Sequence, residues 1–89
     1  MIELTVTYKP VAGDYHFDTV EFDQRLEKVV KRYSTGSGML LSRGERDLTF
    51  SFQRRWAAMR ACSRLKDLKS ELLAKGIQGL ALSWKLTEV

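Results

Sequence analysis

Leu48-Thr49-Phe50-Ser51-Phe52-Gln53-Arg54-Arg55-Trp56-Ala57-Ala58-Met59-Arg60-Ala61-Cys62-Ser63-Arg64-Leu65 changes its apolar period partway along. Leu48, Phe50 and Phe52 recur at every second residue, with Thr49 and Ser51 between them. That alternation is the mark of a strand with one buried face. After Gln53 the spacing lengthens, and Ala58, Ala61, Cys62, Leu65, Leu68 and Leu72 fall on one helical stripe. The helix is expected from about Arg54 to Lys75, a length of roughly 33 Å at 1.5 Å per residue. Gly76 stands where a helix stop is expected. The stripe is built of small residues first and leucines later, so its N-terminal half should lie closer to what it packs on.

Upstream, Ser42-Arg43-Gly44-Glu45-Arg46-Asp47 separates Met39 and Leu41 from Leu48 and reads as the turn of a hairpin. Before it, Phe22, Leu26, Val29, Val30 and Tyr33 form a second helical stripe. Asp18-Thr19-Val20-Glu21 has capping-box spacing, and Phe17 and Phe22 occupy the positions of a hydrophobic staple. Glu21–Arg25 and Glu27–Lys31 are expected i,i+4 pairs, and Ser34-Thr35-Gly36 is the expected stop. At the start of the chain, Ile2, Leu4, Val6 and Tyr8 alternate with polar residues until Pro10, which cannot donate to a ladder. At its end, Leu80, Leu82, Trp84 and Leu86 alternate likewise.

The order strand–helix–strand, twice over in 89 residues, gives one domain over 1–89 of the α+β class. Its architecture resembles the ferredoxin-like βαββαβ sandwich, a four-stranded antiparallel sheet with two helices on one face. The resemblance implies a buried sheet face of Ile2, Leu4, Val6, Tyr8, Leu48, Phe50, Phe52, Leu80, Leu82, Trp84 and Leu86. Thr5, Thr7, Thr49, Ser51, Ser83 and Lys85 fall on the open face, and the hairpin's first arm and the last strand become edges. That fold hosts many unrelated activities, so function must be read from side chains.

Composition narrows the choice. A chain 44% hydrophobic and 29% charged, with one proline and six glycines, is neither disordered nor low in complexity. No apolar run approaches the roughly 18 residues of a membrane span. Cys62 is the single cysteine, which excludes an intrachain disulfide and is expected in a reducing, cytoplasmic setting. The formal net charge of +4 is localised. Gln53 to Gly76 holds seven basic residues against two acidic ones, whereas the rest of the chain holds eight against nine. A basic segment of this kind points to polyanions or acidic protein surfaces.

Several functions carried by this scaffold fail on residue type. RNA-recognition motifs stack bases on aromatics of the open sheet face, but Phe50 and Phe52 share the apolar phase of Leu48. Acylphosphatases hold phosphate with an arginine in the first strand–helix loop and orient water with an asparagine. Residues 10–17 contain no arginine and the chain contains no asparagine. Copper chaperones need a CxxC pair, and one cysteine on an apolar stripe reads instead as a core residue. Gly36-Ser37-Gly38 follows a helix C-terminus, the wrong electrical end for a phosphate loop. His16, the sole histidine, is flanked by Tyr15 and Phe17 and by Asp14 and Asp18 at two residues' distance. It is the remaining place for a small-molecule or enzymatic site.

No catalytic, metal or cofactor motif emerges, so a non-catalytic binding role is expected. Its candidate surface lies on the long helix. Trp56 falls nearly opposite the apolar stripe, with Met59, Arg60 and Ser63 around it and Arg55 and Arg64 at its flanks. An exposed tryptophan among arginines has the composition of a binding hot spot and also suits nucleic acid. The competing reading folds Trp56 back onto the end of the sheet or onto Ser34 to Gly38. The first helix contributes Arg25, Lys28 and Arg32, which form a positive groove with the second only if the two basic flanks adjoin. The expected partner is nucleic acid or an acidic protein, as for a small regulator or inhibitor of a nucleic-acid-processing machine. The alternative is a homodimer or complex subunit assembled through the edge of the last strand.

Overall fold

The computed structural model describes residues 1–9, 19–40, 44–75 and 81–88. Along the chain run strand β1 (Ile2–Tyr8), helix α1 (Thr19–Val30), strand β2 (Gly36–Leu40), strand β3 (Glu45–Phe52), helix α2 (Arg55–Ala74) and strand β4 (Ser83–Glu88). The four strands form one antiparallel sheet in the order β2-β3-β1-β4. β1 is central, pairing Leu4 with Phe50 on one side and with Leu86 on the other. The chain is of the α+β class.

The period of two becomes an inside and an outside. Ile2, Leu4, Val6, Tyr8, Leu48, Phe50 and Phe52 are buried, and the residues between them are half-buried or exposed. They form a single core with Phe22, Leu26 and Val30 of α1 and with Ala58, Ala61, Leu65, Leu68 and Leu72 of α2. Each fully buried leucine contributes roughly 1.5–3 kcal/mol. Leu82 is buried, and Trp84 and Leu86 pack against the core from β4. Leu80 lies outside the described residues, as do Asp18, Phe17 and Gly76. Thr5, Thr7, Thr49 and Ser51 are half-buried on the other face, and Ser83 and Lys85 are exposed there.

Three local expectations are corrected. First, α1 ends at Val30 rather than near Ser34, because Lys31 takes a left-handed φ of 62°. The Arg32 N–H then donates to the Glu27 carbonyl at 3.2 Å, the long bond of a Schellman cap. Tyr33 therefore leaves the apolar stripe and is 86% exposed. Second, Glu27 does not face Lys31 across a helical turn. Its carboxylate accepts the Ser34 N–H at 2.9 Å and so ties down the chain past the helix. Third, β3 starts at Glu45, inside the segment expected to be the turn, and Gly36-Ser37-Gly38 belongs to β2. Gly38 pairs with Asp47, whose Oδ1 would lie 3.0 Å from any Cβ placed at position 38.

Beneath the first helix lies a polar cluster. Tyr8, fully buried, donates its hydroxyl to Asp23 Oδ1 at 2.6 Å, and Arg46 donates Nε to Asp23 Oδ2 at 2.7 Å. The ring of Tyr8 meets that of Phe22 at 4.6 Å between centroids. These bonds join β1, the N-terminal half of α1 and the start of β3. No described helix is long and apolar enough to cross a membrane.

Candidate nucleic-acid interface

Packing of α1 against α2 sets the site. The apolar stripe of α2 faces the sheet, so Trp56 and Met59, turned away from it, are 60% and 54% exposed. The ring of Trp56 does not fold back into the core. Arg60, one turn on, places its guanidinium carbon 5.6 Å from the indole centroid, within cation–π range. Met59, Ser63 and Arg60 share an open surface with Trp56.

On its other side, Trp56 borders a cleft of about 220 Å³. One wall is the C-terminal end of α1 and the turn that follows it, with Val30, Lys31 and Arg32. Phe52 and Ala57 line it as well, and Trp56, Arg60 and Arg64 complete it from α2. Arg32 lies over the Phe52 ring at 4.6 Å. Four cations thus line one small cleft with no carboxylate among its lining residues. Among the described residues, none of the four forms an ion pair.

The groove between the helices continues past Arg25, Lys28, Lys31, Arg64, Asp67 and Glu71. There Asp67 and Glu71 offset two of the four cations. Arg25 reaches Glu71 at 3.4 Å and Lys75 reaches it at 3.0 Å. The Lys75 bond, with Arg25 adding to it, holds the Glu71 carboxyl below its ordinary range. The two helices therefore bring their basic flanks together without carboxylates at the Trp56 end and mix them with Asp67 and Glu71 at the other.

The sequence-derived residues divide accordingly. Trp56, Arg60 and Arg64 line the cleft, Met59 and Ser63 lie on the open surface beside it, and Arg55 turns to β4, where it reaches Glu88 at 3.2 Å. The other basic flank of α2 also faces β4, with Lys69 lying 5.9 Å from the centroid of the Trp84 ring. Lys31 and Phe52 are additions. Phe52 borders the cleft although its period puts it in the core, and Lys31 enters because the left-handed turn takes it off the helical phase. Cys62 is half-buried, and burial pushes its thiol up, away from the reactive thiolate. His16 lies outside the described residues. No described group of three or more His, Cys, Asp or Glu side chains is arranged to hold a metal. No family model, curated protein or solved structure matches the chain.

Proposed function

We propose that this chain is a ferredoxin-like, non-catalytic binding protein that docks a polyanion in the cleft between α1 and α2. The order of elements and the central pairing of β1 with β3 and β4 support the fold reading. The observation that carries the functional reading is the convergence of Lys31, Arg32, Arg60 and Arg64 on one acid-free cleft beside an exposed tryptophan. Like charges held together repel, and an anion seated among them relieves that repulsion. Guanidinium groups also offer fork-shaped donors suited to phosphate oxygens. A small regulator or inhibitor of a nucleic-acid-processing machine has these properties.

The test is the salt dependence of binding to heparin and to a mixed-sequence oligonucleotide. Four phosphate contacts predict a log–log slope of about −3 for a single strand. Charge reversal at Arg60 and Arg64 to Glu should remove most of the affinity while leaving the thermal transition in place, since neither residue forms an ion pair. Affinity indifferent to both salt and charge reversal would end the reading.

The position of β4 at the end of the sheet favours a second reading, assembly edge to edge with another copy. It predicts a solution mass near twice 10.2 kDa, lost in Ser83→Pro. A single-chain mass across micromolar concentrations removes it.

A further inference from the structure

We infer that the polyanion is a single-stranded nucleic acid, its phosphates running through the cleft of Lys31, Arg32, Arg60 and Arg64 and one base stacked on Trp56. This rests on the polyanion reading above and adds to it the class of ligand.

The arrangement of the patch distinguishes the candidates. Four cations line the cleft around the apolar side chains of Val30, Phe52 and Ala57, and Trp56, which also lines it, presents an exposed ring beside Met59 on the adjoining open surface. A cationic groove free of carboxylates with an exposed ring at its edge suits a charged backbone whose bases stack alongside. An acidic peptide offers no flat face to the indole. A duplex has its bases paired and stacked within the helix, and its bulk rides over a cleft set between two packed helices. A cofactor fits less well, because about 220 Å³ is below the roughly 300 Å³ at which enclosed small-molecule sites begin. A chain that passes through needs no enclosure.

Spacing agrees with this. Trp56, Arg60 and Arg64 are four residues apart, so successive turns of α2 present one group each along a line, at about 6 Å intervals. That interval is comparable to the separation of successive phosphates on an extended strand. Arg60, already in cation–π range of the indole, joins ring and cleft.

The experiment uses the full chain carrying Trp84→Phe, which leaves Trp56 as the only tryptophan. Its fluorescence is titrated with oligothymidylate and oligouridylate of about 12 nucleotides, a duplex of the same length, inorganic polyphosphate and poly-glutamate. The expected result is quenching by the single strands, with DNA and RNA arms showing which sugar is preferred. Trp56→Ala, introduced into the natural chain at an exposed position and checked for an unchanged circular dichroism spectrum, should weaken single-strand binding by about 5- to 150-fold, with Trp56→Phe recovering part of it. Binding of polyphosphate should be unaffected by Trp56→Ala. Equal affinity for duplex, polyphosphate and single strands without quenching would overturn the single-strand assignment and leave the polyanion reading intact. Binding of poly-glutamate alone would overturn it in favour of an acidic protein. Binding of none of them would end both.

Discussion

Lys31 holds a backbone conformation that glycine adopts at least cost, with φ at 62°. The same residue contributes a cation to the cleft. Strain retained at a binding surface has a functional reading when relieving it removes the function. Lys31→Gly is therefore expected to raise stability by about 1 kcal/mol and to weaken polyanion binding, two opposite changes read by denaturant unfolding and by titration. A variant that loses stability contradicts this account of the turn. Tyr8 tests a different residue-scale claim. Burial first, and then the bond to the Asp23 carboxylate, push the Tyr8 phenol above its ordinary value, with Arg46 opposing. A group whose folded pKa is raised stabilises the fold fully below the unfolded value and loses that contribution as pH rises further. For tyrosine that loss begins near pH 10. Tyr8→Phe should cost about 1.5–3 kcal/mol at neutral pH and flatten the alkaline decline in stability. Equal declines in both proteins would show that Tyr8 does not govern it.

Elements were the most legible level. β1, β3 and α2 each carry a long, unbroken period, and the residues assigned to their inner faces are buried, except Cys62, which is half-buried. In the small half of the α2 stripe, Ala58 and Ala61 are fully buried. Ala61→Leu should cost about 1–3 kcal/mol by overpacking, and Leu65→Ala about 2–5 kcal/mol by opening a cavity, both measurable as shifts in thermal midpoint. A neutral Ala61→Leu would mean that the helix stands farther from the sheet. The end of α1 was not legible, because a Lys in left-handed conformation leaves no mark in sequence and the glycine at 36 was the more obvious stop. Nor was the Tyr8–Asp23–Arg46 cluster. The signal available was a tyrosine in the apolar phase of a central strand, whose hydroxyl must find a partner when buried.

At the scale of the molecule, the net charge of +4 is distributed by the meeting of the two helices. The sequence located the basic segment and the exposed face of α2, but whether the flank of α1 adjoined it depended on how the helices pack. The structure brings Lys31 and Arg32 beside Arg60 and Arg64, and pairs Arg25 and Lys75 with Glu71. On the open sheet face small hydroxyl residues stand among Glu3, Asp47 and Lys85, with Thr35 donating to the Thr49 carbonyl at 3.2 Å. Binding should therefore use the helical side of the molecule, and the most direct test is a map of where the ligand sits. In a two-dimensional amide NMR titration with a short single-stranded oligonucleotide at low salt, the largest shifts are expected at Lys31, Arg32, Phe52, Trp56, Arg60 and Arg64, together with the Trp56 indole N–H. Shifts centred instead on Thr5, Thr7, Thr49 and Ser51, or a spectrum unchanged at saturating ligand, would contradict the account.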